Sequence, residues 1–183
     1  MISQAKEKLR QKILAQLKNF SAAERDQQNR KIQKDFLALS EFSAARKIAF
    51  FASEEFEVST DFLITWSLQA GKKISLPRVE KDSCELEFHA IQNLDELEVG
   101  CFGINCPAIS TPKIPLAEID LLVVPGLAFT TAGDRLGRGG GFFDRVLANF
   151  SGVSVGLAFD FQILSELPTE KWDEKVSKVL AGD

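Results

Sequence analysis

Ile119-Asp120-Leu121-Leu122-Val123-Val124-Pro125-Gly126, followed by Leu127-Ala128-Phe129 and then Gly133-Asp134-Arg135-Leu136-Gly137-Arg138-Gly139-Gly140-Gly141-Phe142-Phe143-Asp144-Arg145, is the stretch from which the fold can be read. Leu121 to Val124 is apolar without alternation, which predicts a strand covered on both faces. Pro125-Gly126 ends it. Five glycines lie between positions 133 and 141, a density that allows positive φ and close approach of the backbone to a ligand. Past Gly141 the apolar residues Phe142, Phe143, Val146, Leu147 and Phe150 suit one side of a short helix. Strand, glycine loop and helix together bring free N–H groups and a helix N-terminus to phosphate oxygens. Arg135, Arg138 and Arg145 add positive charge. The loop fits neither G-x-x-x-x-G-K-[ST] nor a dinucleotide G-x-G-x-x-G directly after a strand, so a tight structural connection with solvated arginines stays open as the other reading.

A chain of 183 residues has room for one domain, 1–183, with a substantial core. A 45% hydrophobic and 26% charged composition is that of an ordinary soluble protein. The net charge of −4 provides no basic field for nucleic acid or an anionic membrane. No apolar run approaches the roughly 18 residues of a membrane span, and the first residues lack the apolar centre of a signal peptide. Cys84, Cys101 and Cys106 form no C-x-x-C pair and His89 is the only histidine, so a zinc site would be short of ligands. A reduced, cytoplasmic protein is expected.

Residues 4 to 18 read as an amphipathic helix with Leu9, Ile13, Leu14 and Leu17 on one side. Lys6 and Arg10, four apart, project from one face, by spacing alone a solvated basic edge. Ser21-Ala22-Ala23-Glu24 is a capping box opening a second helix to about Leu39. Lys47 to Ala52 reads as a buried strand. Ser or Thr in Val58-Ser59-Thr60 would cap a helix over 61 to 70, and Gly71 would close it. Lys72 to Leu76 comes next as a strand ended by Pro77. This series predicts an α/β protein with a right-handed βαβ unit in a largely parallel sheet. Its ligand would lie beyond the carboxyl ends of the strands, near Glu57. Cys84 to Ile91 alternates, predicting a half-exposed antiparallel strand with His89 on its wet side and outside the site. Residues 107 to 118 read as a loop. Val153 to Phe159 and Lys175 to Leu180 are the last strands.

The string PGLAFTTAGDRLGRGGGFFDR, residues 125–145, is similar to the PGLAFD-x-x-G-x-RLG-x-GGGYYDR signature of 5-formyltetrahydrofolate cyclo-ligases. Other places resemble that family too: Lys6 with Arg10 its K-x-x-x-R pair, Glu57 the acid of its E-[VI]-x-T segment, and LAFDFQILSELPTEKWDEKVSKVL its carboxyl-terminal ending. Phe102 to Pro107 resembles its turn beside the folate pocket, with Cys106 where glutamate is usual. The resemblance implies a three-layer αβα fold, mostly parallel with helices on both faces, of the sugar-phosphate isomerase and CoA-transferase type. It implies ATP- and Mg²⁺-dependent conversion of 5-formyltetrahydrofolate to 5,10-methenyltetrahydrofolate through a phosphorylated formyl group. The expected partners are two small molecules, ATP and a reduced folate, acted on by a monomer.

By that resemblance Gly137, Gly139, Gly140 and Gly141, with Phe142 and Phe143, form the phosphate loop, and Lys6, Arg10, Arg135 and Arg138 offset the phosphate charge. Asp144 would hold Mg²⁺, with Asp173 the weaker candidate; a first-turn dipole partner is the other reading of Asp144. Glu57 would orient N10 and the formyl group. Phe51, Phe102 and Phe143 would line the folate pocket, Phe51 being equally well plain core. Glu57, Arg135 and Asp144 would be the catalytic set. The chain departs from the signature in having no tyrosine, with Phe142-Phe143 in place of Tyr-Tyr, Trp172 for the usual His and Ser177 for Asp. An ATP- and folate-binding protein of the same fold without turnover is the alternative. A sugar-phosphate isomerase or CoA-transferase-like enzyme is a third reading, without a motif to support it.

Overall fold

The computed structural model describes residues 2–79 and 85–182. Its helices and strands run α1 Ile2–Asn19, α2 Ala22–Leu37, α3 Ser40–Ala44, β1 Lys47–Ala49, α4 Asp61–Gln69, β2 Lys73–Val79 and β3 Leu86–Ile91. Then come β4 Leu97–Val99, β5 Asn105–Pro107, β6 Lys113–Ile114, β7 Leu121–Val124, β8 Ala128–Thr130, β9 Arg135–Leu136, α5 Phe142–Leu147, β10 Val153–Ala158, β11 Ile163–Leu164 and β12 Lys178–Ala181. A seven-stranded sheet has the order β12-β10-β7-β1-β2-β3-β6. Pairing is parallel from β12 through β2 and antiparallel from β2 through β3 to β6.

The unbroken apolar run of β7 is buried on both faces because its residues serve two cores in alternation. Leu121 and Val123 pack with Ile13 and Leu17 of α1, Ile32 and Phe36 of α2, and Leu63 and Ile64 of α4. Leu122 and Val124 pack with Val146 and Leu147 of α5 and with Phe129. The molecule is thus a three-layer α/β sandwich with a mostly parallel central sheet. No helix among the described residues is long and apolar enough to cross a membrane.

Several local expectations are corrected. Ser21 Oγ accepts from Glu24 N at 3.3 Å, but the Glu24 carboxylate takes the Ser21 hydroxyl rather than its backbone N–H. The second helix stops at Leu37, and the short α3 comes after it. The Thr60 hydroxyl does not cap α4; it is buried and donates to Phe51 O at 2.7 Å, fixing the chain just past β1. Pro77 lies inside β2 rather than ending it. Pairing with β1 stops at Ser75, so the proline sits where the strand has β3 as its ladder partner and a missing N–H is tolerated.

His89 is fully buried, not solvent-facing, because β6 pairs alongside it and the preceding loop closes over its ring. Its Nδ1 lies 2.9 Å from Thr111 O, and its Nε2 is 3.5 Å from Glu87 Oε2. The start expected for that strand, Cys84, lies outside the described residues. The last strand starts at Lys178 instead of Lys175. Val176 N donates to Gly133 O at 2.9 Å and Glu174 N to Asp144, so these amides tie down loops rather than join the ladder.

Candidate active site

The parallel strands β1, β7 and β10 end on one side of the sheet, and the segments leaving their carboxyl ends build one site. Past β7, Pro125 to Phe129 turns back into β8, and Gln162 holds that turn. Its amide Nε2 donates to Leu127 O at 3.0 Å and Gly126 O at 3.3 Å, while its Oε1 accepts from Phe159 N at 2.8 Å. Gln162 closes the LAFDFQ part of the carboxyl-terminal ending, but nothing in the sequence marked it for this role. The Asp160-Phe161-Gln162 segment is a single turn of 3-10 helix.

The β8–β9 hairpin then delivers Arg135 and the glycine loop. Arg135 is buried, and its Nη2 donates to Asp144 Oδ1 at 2.7 Å, joining the two ends of the loop. Its Nε is buried without a partner among the described residues, a donor left over beside the loop. Gly139 has φ +108° and Gly141 φ +66°, conformations that side-chain-bearing residues seldom adopt. Gly141 leads directly into α5. Arg10 Nε donates to Gly137 O at 2.9 Å, so the first helix supports the loop from outside.

Lys6, one turn before Arg10, is buried; its Nζ meets Asp173 Oδ2 at 2.6 Å, Asp173 Oδ1 at 2.8 Å and Glu170 Oε2 at 2.8 Å. Burial alone works against an ammonium here, but the hydrogen bonds and charges of Asp173 and Glu170 outweigh it and raise the Lys6 pKa above its usual value. Lys6 and Arg10 are therefore no solvated edge. Glu170 was missed in the sequence, although it belongs to the same LP-x-E ending as Asp173.

Arg138 is half exposed, and its Nη2 meets Glu54 Oε2 at 2.6 Å and Glu57 Oε1 at 2.9 Å. Glu57 Oε2 also accepts from Glu54 N at 3.0 Å, which locks the segment after β1. Glu54 is a second carboxylate that sequence reasoning passed over.

These residues line one cavity of about 720 Å³, together with Phe51, Phe102, Phe142 and Phe143. Phe51 is both core and cavity wall, so its two readings hold together. Phe143 packs against both cores. Phe102 is 78% exposed, has φ +62° in the β4–β5 turn, and faces the Phe142 ring at 6.4 Å. Cys106, buried in the same hairpin, has its thiol pKa pushed up by burial. Every site residue expected from the sequence lines this one cavity.

A metal would find few protein ligands. No group of three His, Cys, Asp or Glu among the described residues is arranged to hold one. Both oxygens of Asp173 accept from Lys6, whereas both bonds to Asp144, from Arg135 and Glu174 N, fall on Oδ1. A single carboxylate suits Mg²⁺, which takes most of its ligands from phosphate oxygens and water.

Known proteins similar to this chain share one family. The family model described as 5-formyltetrahydrofolate cyclo-ligase family matches residues 2–182. The chain is 33% identical over 187 residues to the 5-formyltetrahydrofolate cyclo-ligase of Haemophilus influenzae, with 100% of both chains covered. It is 37% identical over 134 residues to that of Escherichia coli K12, covering 70% of this chain and 74% of the other. The NMR structure of Aquifex aeolicus 5,10-methenyltetrahydrofolate synthetase superposes with a TM-score of 0.87 at 33% identity, covering 97% of this chain and 89% of that one. A Mycoplasma pneumoniae 5,10-methenyltetrahydrofolate synthetase shares the fold, with a TM-score of 0.77 at 24% identity and coverages of 95% and 96%. The chain is an enzyme of the 5-formyltetrahydrofolate cyclo-ligase family.

Proposed function

We propose that this protein converts 5-formyltetrahydrofolate to 5,10-methenyltetrahydrofolate, using ATP with Mg²⁺ and releasing ADP and phosphate. The observation that carries the reading is the shared cavity. A glycine loop ringed by Lys6, Arg10, Arg135 and Arg138 opens into the same space as Phe51, Phe102, Phe143 and Glu57. A triphosphate on the loop and a reduced pterin on the aromatic wall would meet there.

In the proposed reaction the formyl oxygen attacks the γ-phosphorus, the bond to the β,γ-bridging oxygen breaks, and ADP departs. N10 then attacks the formyl carbon, its proton passes to Glu57, and the carbon–oxygen bond breaks with phosphate as the leaving group. The chain's own part is alignment and charge compensation. The Arg135 guanidinium, held beside the glycine loop by Asp144, supplies positive charge against the phosphates. Asp144, and less readily Asp173, would hold Mg²⁺, which neutralises phosphate charge when bound. Glu57 receives the N10–H hydrogen bond, once Arg138 turns toward phosphate. We assign the whole activity to one domain, acting as a cytoplasmic monomer.

Incubation of the purified protein with folinic acid tests this. Loss of substrate and growth of the methenyl chromophore are expected only when both ATP and Mg²⁺ are present. A second reading, nucleotide and folate binding without turnover, is favoured by Phe142-Phe143, which removes every phenol hydroxyl from the loop. Binding of both ligands with no absorbance change would select it.

A further inference from the structure

Most aromatic rings of the cavity are already engaged: Phe51 belongs to the core, Phe143 packs on both cores, and Phe102 faces Phe142. Trp172 differs. It lines the cavity and is 58% exposed, and no aromatic ring lies against it among the described residues. Its ring contact is Lys171 Nζ, 6.0 Å from the centroid and at the outer limit of a cation–π interaction.

The backbone that carries Trp172 is held tightly for a residue so exposed. Asp173 N donates to Glu170 O at 3.0 Å, closing a turn with Lys171 and Trp172 at its tip. Glu170 N donates to Asp173 Oδ2 at 2.6 Å, and the carboxylates at both feet of the turn grip Lys6 Nζ. The backbone that carries the indole is therefore fixed relative to the cation that anchors one side of the cavity. A wide, uncovered apolar ring on a rigid turn is a surface prepared in advance for a flat ligand. Trp172 lines the same cavity as Lys6 and the glycine loop, so a ligand with phosphates on the loop shares its space with this indole.

From this we infer that Trp172 is the platform on which the nucleobase of the bound nucleotide stacks. The inference rests on the reading that the glycine loop binds a triphosphate. Stacking of a base on an aromatic ring is sequence-tolerant because it uses the π-face of the base. Trp172 therefore adds affinity for a nucleoside triphosphate over the bare phosphate chain.

The experiment compares dissociation constants of ATP and inorganic tripolyphosphate, each with Mg²⁺ and without folate. Wild-type protein is expected to bind ATP about tenfold more tightly than tripolyphosphate. Trp172→Leu should reduce that ratio to within about twofold, while Trp172→Phe keeps most of it. In a Trp66→Phe background, where Trp172 is the sole indole, ATP should quench the fluorescence and tripolyphosphate should not. An unchanged ratio in Trp172→Leu, or quenching by folinic acid alone, overturns the inference while leaving the phosphate site standing. Failure of both ATP and tripolyphosphate to bind overturns the triphosphate reading, and the inference with it.

Discussion

Arg138 Nη2 stands 2.9 Å from Glu57 Oε1, so one guanidinium joins the glycine loop to the segment just past β1. The same nitrogen reaches Glu54, and Arg138 is half exposed, which makes the cluster a weak contributor to stability. Its value lies in placing a cation between the two halves of the cavity. Arg138→Ala is expected to raise the KM for ATP about tenfold with the melting temperature almost unchanged. Glu57→Gln should lower kcat for folate about 100-fold and leave ATP binding near wild type. Steady-state kinetics with each substrate varied separately checks both; wild-type kcat in Glu57→Gln would remove it from the reaction.

Lys6→Ala has a different expected signature, because it strips the cation from two carboxylates in a largely buried corner. The loss is about 2–4 kcal/mol of stability, together with a raised KM for ATP. The sign with pH is set by the raised Lys6 pKa. Its contribution is fully present below the ordinary lysine value and is lost only as pH rises through the higher folded value. Chemical denaturation of wild type and variant should therefore show the same difference at pH 7 and pH 9; a difference that shrinks by pH 9 contradicts the ion-pair account.

Acid should unfold the protein through carboxylates held below their usual values. Hydrogen bonding from Lys178 holds Glu41 down to about 2. Asp120 is lowered by the backbone N–H groups of Lys47 and Arg46, and Asp134 by Lys175 and Thr130. Such groups contribute above the unfolded carboxylate pKa, and their contribution disappears as pH falls through the folded one. Melting temperature is expected to be level from pH 7 to about 5 and to drop from about 4.5 toward 2. Asp120→Asn should make that drop shallower in thermal melts tracked by circular dichroism.

Gly156, inside β10, leaves room for a ring. A β-carbon there would lie 2.4 Å from Phe129 Cε1, in the fully buried layer between sheet and α5. Gly156→Ala should cost about 1–3 kcal/mol by overpacking, lowering the melting temperature by about 2–10 °C. The double variant Gly156→Ala with Phe129→Leu should recover part of that loss.

The parts of the molecule that were legible in advance are those decided locally. The unalternating Leu121 to Val124, the glycines after it and the apolar side of the first helix each carry their own periodicity. The hidden parts depend on partners distant in the chain. His89 looks wet beside Glu85 and Glu87 until β6 and Thr111 cover it. Pro77 reads as a strand end until the ladder to β1 is seen to stop before it. The Thr60 hydroxyl prefers Phe51 O to a cap, which only the tertiary fold reveals. In the site, residue types and motifs marked the cations and glycines. Glu54, Glu170 and Gln162 act by holding other groups in place; Glu170 and Gln162 lie in the family-like ending, but the partners they hold are distant in the chain.

The ammonium of Lys6 and the carboxylates it meets are separated by 164 and 167 positions along the chain. Closing so wide a loop carries a large entropic cost and contributes nothing to early, local folding. A polypeptide still emerging from the ribosome cannot assemble this anchor before residues 170 to 173 are out. A product truncated ahead of residues 170 to 173 would keep the glycine loop and still lack the carboxylates that hold Lys6.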